Sequence, residues 1–314
     1  MYRERSHTLT NGFGYIGMWF SLALILCVCL FIVVNVLNIG ADVLSWKFLT
    51  TEPNPLMMES DPGGILTPLI GSFLLTALGI GIALPLALCT AIYLRYYARP
   101  GYFSLLIVTA IDILASVPTI VIAIAGLAIA TLPQLSFLST PLVGNGSAIE
   151  HSYGKSFLTA ACAMAIMVLP FITKAIDESL KTVPEDLIAG SLALGASKWR
   201  TVTKVALKVS RPGIVTGVIL GMGRILGDTA IIWLLLGGSL EMTGNQPWFA
   251  PQNWLSTLRN SGSTLTSYIS DTSPVGEGNR YDVAFGASFV LVVLIVLLNA
   301  AAAFIGNLGR HKAR

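Results

Sequence analysis

Residues 174–211 read KAIDESLKTVPEDLIAGSLALGASKWRTVTKVALKVSR, a basic and strongly patterned stretch between two long apolar runs. Val183-Pro184-Glu185-Asp186 has the form of a helix start, with proline in the first turn and acids at the positive end of the helix dipole. Leu187, Ile188, Leu192 and Leu194 give that helix an apolar face, and Gly195 ends it. Ser197 is placed to cap a second short helix carrying Lys198, Trp199, Arg200, Val202, Lys204 and Val205. Arg211-Pro212-Gly213 stops this helix and opens the next apolar run. The expectation is a compact knob of two short helices hinged at Gly195. Two readings of the knob fit the residues equally. It is a plug for a groove on another protein, anchored by Trp199, or a basic amphipathic segment lying on anionic lipid headgroups.

Outward from this stretch the chain is apolar. Of its 314 residues, 54% are hydrophobic and 11% charged, where a soluble domain carries about 25% charged residues. Too few charges remain to cover a water-facing surface, so lipid is the expected solvent for most side chains. Apolar segments fall at roughly 13–39, 65–94, 102–132, 157–174, 213–238 and 283–308, each near or above the ~20 residues that cross a bilayer as a helix. The fourth is the shortest. Arg3 and Arg5 precede the first segment, which is too long for a signal peptide and is read as an uncleaved span.

The basic residues sort the connections. Fourteen of the 19 lie in the N-tail, the 95–101 turn, the 174–211 loop and the C-tail. Four, Lys47, Lys155, Arg259 and Arg280, lie in the alternate connections, and Arg224 is inside the fifth segment. That bias predicts six spans with both termini cytoplasmic. Cys27, Cys29, Cys89 and Cys162 sit within apolar runs without a CxxC pair, and are expected to be small buried apolar side chains. Pro68, Pro85, Pro118 and Pro170 fall within spans. They kink helices either for a moving pathway or for packing alone.

Arg224 and Asp228 stand near the middle of the fifth segment. A charge at that depth costs about 2.5–3.5 kcal/mol on insertion scales. The i, i+4 spacing puts both on one helix face, where they can pair. They line the path of an anionic solute, or they form a structural ion pair between helices. In the first case arginine offers a planar fork of donors to the anion, and Asp228 holds the guanidinium between transport events. Asp112, in the third segment, reads as a hydrogen-bonding group in helix packing.

Catalytic signatures are missing. Gly154-Lys155-Ser156 misses the phosphate-loop motif because Ile149 stands at its first glycine, so this chain is not expected to hydrolyse ATP. His7, His151 and His311 fall outside the spans, and neither a catalytic nor a metal site is expected. An intramembrane enzyme would need convergent polar residues at one depth. A stand-alone carrier or channel would show inverted repeats. Neither accounts for the 174–211 stretch.

LALGASKW at 192–199, followed by RPGI at 211–214 before a span, resembles the cytoplasmic signature loop of ABC-importer permeases. Gly195 falls at that signature's glycine. Ala189-Gly190-Ser191 stands where the family has Glu-Ala-Ala, so the glutamate is missing, and Lys208 replaces a frequent proline although Pro212 is present. Gly63-Gly64-Ile65, Leu84-Pro85-Leu86, Ala91-Ile92-Tyr93-Leu94, Ala115-Ser116-Val117-Pro118-Thr119-Ile120 and Gly223-Arg224-Ile225-Leu226-Gly227-Asp228-Thr229-Ala230 resemble phosphate-importer permeases, of the PstA type more than the PstC type. Asp228 stands where that family usually has glutamate.

The resemblance implies an all-α integral membrane fold of six transmembrane helices, the MetI-like fold of ABC type I importers. It implies a single transmembrane domain over 1–314, with the first span at 13–39 and a permease core over about 60–308. The 174–211 loop would couple to the ATPase through Pro184, Glu185, Ala189, Gly190, Ser191, Gly195, Ala196, Lys198, Trp199 and Pro212. Arg224 and Asp228 would line the translocation pathway. The implied partners are a PstC-like second permease, a PstB-like ATPase dimer and an external PstS-like phosphate-binding protein. The chain would bind no cofactor itself, ATP and Mg being acted on by the ATPase, and it would sit in the inner membrane. Other oxyanions, such as sulfate or molybdate, share much of this logic.

Overall fold

The computed structural model describes residues 2–54, 63–142, 151–240, 242–274, 276 and 280–307. The described chain is helical apart from a pair of two-residue strands, Pro141–Leu142 and His151–Ser152. The basic C-tail lies outside the described residues.

α1 covers Tyr2–Gly40, and a short α2 covers Trp46–Thr50. α3 (Leu66–Ile92) continues as a π-helical turn, Tyr93–Tyr97. The third apolar segment divides into α4 (Tyr102–Ser116) and α5 (Thr119–Ala130), bent by 104°. Pro118 causes the division. It has no N–H to donate and drives Val117 out of the helical region, to φ −68° and ψ 128°. The other span prolines do less. Pro68 sits in the first turn of α3, while Pro85 and Pro170 lie within continuous helices.

α6 (Phe157–Lys181) is the hub. The sequence suggests a short fourth segment ending near residue 174, but the helix runs seven residues farther, where Ile176 and Leu180 stay buried and Lys181 pairs with Asp177 and Glu178 at 2.7 and 2.8 Å. A capping box of Ser156 and Thr159 starts it. Met164, Val168, Ile172, Ile176 and Leu180 are fully buried, and α3 and α10 pack on either side. α7 (Glu185–Ala193), α8 (Lys198–Thr201), a π turn at Val202–Ala206 and α9 (Leu207–Val209) form the knob. α10 (Arg211–Gly227) and a π turn at Ile232–Leu236 make the fifth crossing. Then come α11 (Trp254–Arg259), α12 (Leu265–Thr272) and α13 (Tyr281–Asn307).

Four helices, at 14–40, 66–97, 157–181 and 281–305, are each long and apolar enough to cross a bilayer, and the number rises to as many as six if each of two bent pairs is one span. The fifth crossing is antiparallel to α6. Ser179 at one end of α6 donates to the Ser210 carbonyl at 2.9 Å, and Ser156 N–H at the other end donates to the Leu235 carbonyl at 2.8 Å. Gly40 lies against Gly286, Arg211 at the knob donates to the Ile305 carbonyl at 2.9 Å and Lys198 lies over Tyr97, so the far ends of α1 and α13 share one side of the bundle with the knob and the 93–101 turn. This is the side the basic residues single out. The cysteines differ from expectation. Cys27, Cys29 and Cys89 face outward and Cys162 is half-buried, because a lipid-facing surface accepts a small apolar side chain as readily as a core does.

Close backbone approach sets the α3 interface. A Cβ on Gly71 would collide with the Ser263 carbonyl, whereas one on Gly81 would meet open space. Gly71→Ala should therefore lower the melting temperature of the detergent-solubilised protein, the clash costing about 1–3 kcal/mol. Gly81→Ala should leave it unchanged or raise it, since alanine is the better helix former by up to about 1 kcal/mol. Equal melting temperatures for the two variants would contradict this packing.

Candidate functional site

The fifth crossing is broken in mid-course. α10 ends at Gly227, and Asp228 adopts an extended conformation, φ −82° and ψ 135°. Its Oδ1 accepts the Ile231 N–H at 2.8 Å, capping the helical turn that follows. The Leu226 carbonyl, freed by the break, accepts the Thr266 hydroxyl at 2.7 Å. Beside it, Ser72 of α3 accepts the Leu265 N–H at 2.8 Å. A capping box of Thr264 and Ser267 starts α12 at this contact. α12 therefore folds back from the far side of the bundle to the depth of the break.

The break overturns the expected i, i+4 pairing. Asp228 leaves the helix and turns inward, where it is 9% exposed, while Arg224 stays on α10 and points outward. The Arg224 guanidinium lies over the Phe171 ring at 4.1 Å, and among the described residues it joins no ion pair. Pro212, Thr216, Leu220, Arg224 and Gly227 form one exposed stripe of α10, with Gly217, Gly221 and Ile225 buried opposite. Beyond Gly223 and Gly227 there is open space. The chain thus leaves the Arg224 face uncovered. Three grooves among the described residues lie elsewhere and are lined mostly by apolar side chains: 370 Å³ between α4, α5 and α6, 320 Å³ between α3, α10 and α13, and 450 Å³ under Trp248 and Trp254.

The longer α6 also relocates a charge. Lys174, placed in the loop by its sequence position, lies inside α6 and binds Asp112 of α4 at 2.7 Å. Asp112 is thus an ion-pair partner. The sequence signal was available: Asp112 is an acid inside an apolar run, and such a group needs a partner.

The knob forms as two helices hinged at Gly195. Pro184 sits just before α7 as its N-cap, with Glu185 and Asp186 in the first turn. Gly195 has φ +78°, its N–H bonds the Leu192 carbonyl at 2.9 Å, and Ala196 N–H bonds the Ser191 carbonyl at 3.2 Å. This is a Schellman ending, which needs a left-handed residue at the glycine. Ser197 accepts the Arg200 N–H at 3.3 Å, as a cap for α8. The Ser191 and Thr201 hydroxyls, 2.9 Å apart, tie the two helices together. Lys198 lies over the Tyr97 ring at 5.0 Å, linking the knob to the π turn after α3. Of the expected apolar face only Ile188 turns inward. Leu194 and Trp199 are 91% and 61% exposed. Ala189, Gly190 and Pro212 are exposed too, and Ser191 and Ala196 are half-buried.

A bundle of this kind, with an open charged face and a knob between two crossings, defines a polytopic membrane permease component. The chain belongs to the family described as the binding-protein-dependent transport system inner membrane component, whose model matches residues 79–310. Members are non-catalytic subunits of ABC transporters in the inner membrane. Among its relatives, the probable ABC transporter permease protein YqgI of Bacillus subtilis is 29% identical, with 94% of each chain covered. The phosphate transport system permease protein PstA 1 of Mycobacterium tuberculosis is 29% identical over 82% of this chain and 75% of its own. A probable phosphate transport system permease protein PstC of Methanocaldococcus jannaschii is 33% identical over 75% and 73%. In fold, the chain resembles a bacterial alginate ABC transporter (TM-score 0.56, 15% identity, covering 90% of this chain and 92% of that one). It also resembles the MetNI methionine transporter (TM-score 0.52, 20% identity, covering 78% and 94%). The expected MetI-like fold is the observed one.

The cap at the break separates two roles of Asp228. Asp228→Asn keeps the acceptor oxygen and should melt close to the parent protein, whereas Asp228→Ala should lose about 1 kcal/mol of stability with the cap. Equal destabilisation in both would show that the charge, not the cap, holds the break.

Proposed function

We propose that this chain is a permease subunit of an ATP-driven importer for inorganic phosphate, forming half of the translocation path and receiving the ATPase on its knob. The observation that carries this reading is Arg224. It stands about 20 Å along α10 from Arg211 by helical rise, on a face that its own chain leaves open. A permanently ionised fork at that depth is costly against lipid and well suited to the oxygens of a tetrahedral anion. A second permease subunit, applied to the open face, would close the path around it. Phosphate is favoured over other oxyanions by the residue patterns shared with phosphate permeases and by the names of the PstA and PstC relatives.

The knob supports the coupling half of the reading. Leu194 and Trp199 project from a hinge stiffened by the Schellman turn and the Ser191–Thr201 bond. An apolar tip on a rigid two-helix stem is the shape of a plug for a protein cleft. Another oxyanion, or a carrier acting alone, is the competing function, because the guanidinium fork by itself does not choose among tetrahedral anions.

Arg224→Ala should abolish uptake of labelled phosphate while the chain still co-purifies with its ATPase. Normal uptake by that variant removes Arg224 from the path, and competition by sulfate or molybdate in the parent protein would reassign the solute. Gly195→Pro should weaken recovery of the ATPase in pull-downs with membrane insertion unchanged. Undiminished recovery would argue against docking at the knob.

A further inference from the structure

One charged pair on the open side has no role in this scheme. Lys174 of α6 and Asp112 of α4 are joined at 2.7 Å, with side chains 52% and 55% exposed. Helical rise puts Lys174 about 10 Å inside the Lys181 end of α6 and Asp112 about 15 Å inside the Tyr102 end of α4. Half-exposed to hydrocarbon, each charge would cost about 2.5–3.5 kcal/mol on insertion scales. The pair is therefore expected to face another protein surface, a water-filled path or the headgroup edge, and not acyl chains. Lys174 is one helical turn from Phe171, whose ring lies under the Arg224 guanidinium at 4.1 Å. Both cations thus belong to one side of the bundle. α4 is otherwise held loosely there. Ile111 is its one buried side chain among the described residues, and Tyr102, Phe103, Leu105, Leu106 and Ile113 are exposed.

Resting on the reading of Arg224 as an anion contact, we propose that Lys174 is a second anion contact on the same path, occupied by Asp112 when no anion is present. A carboxylate and an oxyanion offer an ammonium the same thing, charged oxygen at hydrogen-bond distance. Asp112 keeps Lys174 paired in the empty path, which avoids leaving a desolvated charge uncompensated. An arriving oxyanion takes its place and frees the carboxylate. Lysine suits an exchange of this kind, being a compact charge on a flexible stem and not a rigid bidentate fork. The position also suits control by the knob. α6 passes into the knob seven residues beyond Lys174, whereas Asp112 stands on a helix outside it. Displacing the knob changes the separation of the pair.

The test is uptake of labelled inorganic phosphate, measured per assembled complex, in Asp112→Asn, Lys174→Met and the double variant. If Lys174 contacts the anion, Lys174→Met and the double variant both lose uptake by about tenfold or more, a factor worth ~1.4 kcal/mol, and Asp112→Asn loses less. If the pair is only a structural tie, removing both charges relieves the defect of removing one. Recovery of uptake in the double variant therefore overturns the proposal. Should Lys174→Met fail to assemble, Asp112→Asn decides alone. Retained uptake supports the proposal, and a loss of about tenfold or more overturns it. Arg224→Ala, run alongside, separates the two levels. Uptake that survives Arg224→Ala removes the path itself, whereas loss there with recovery in the double variant removes only Lys174.

Discussion

Inside a bilayer no water is available to close an opened backbone hydrogen bond, and the fifth crossing is open at residue 228 all the same. It survives because two side chains close it and a third anchors the helix that brings one of them. Asp228 caps the turn that follows, Thr266 satisfies the Leu226 carbonyl, and Ser72 receives the Leu265 N–H beside it. Two of these groups come from elements far away in sequence. The break therefore fixes more than itself: it requires α12 to fold back to this depth and α3 to present Ser72 there, α12 packing against α13 and α3 against α6. Burying Asp228 in the cap also leaves Arg224 without its nearest acid, which turns the arginine toward the uncovered face.

The hub role of α6 follows from the same constraint. A bundle that holds a broken crossing needs one continuous helix to reference it, and α6 is apolar and buried for most of its length. Gly217 and Gly221 bring α10 close to Ile172, and Gly79 brings α3 close to Ile225 and Met164. Small residues at these crossings supply the contact that van der Waals packing in a membrane depends on.

Much of this was legible in the sequence. Apolar run length marked the long helices able to cross a bilayer, and the knob's caps and hinge could be read from Pro184, Gly195 and Ser197, because those signals are local in the chain. What could not be read was tertiary. The i, i+4 spacing of Arg224 and Asp228 presumed an unbroken helix, and nothing next to Gly227 in sequence announces that Thr266 will accept the role of a cap. The end of α6 is hidden in the sequence because Lys174 is a charge that hydropathy assigns to water, while its partner Asp112 comes from another helix. Pro118 was visible as a kink, but its angle of 104° depends on what α4 and α5 pack against.

Connectivity ties the knob to both charged groups on the open side. It is continuous with α6, which carries Lys174, and with α10, which carries Arg224. The Ser179–Ser210 bond clamps those two helices where they enter it. A push on Leu194 or Trp199 is therefore delivered to two helices at once, not to one loop. Rigid helices transmit displacement along their axes, whereas the π turn at Val202–Ala206 and the break at Asp228 are the places where this path can yield. Lys174 lies between the clamp and the bundle core, with no such joint intervening. Arg224 lies just before the joint at Asp228. Motion of the knob would move both cations relative to α4 and to whatever covers the open face, with α12 bonded to Leu226 where α10 reaches the break.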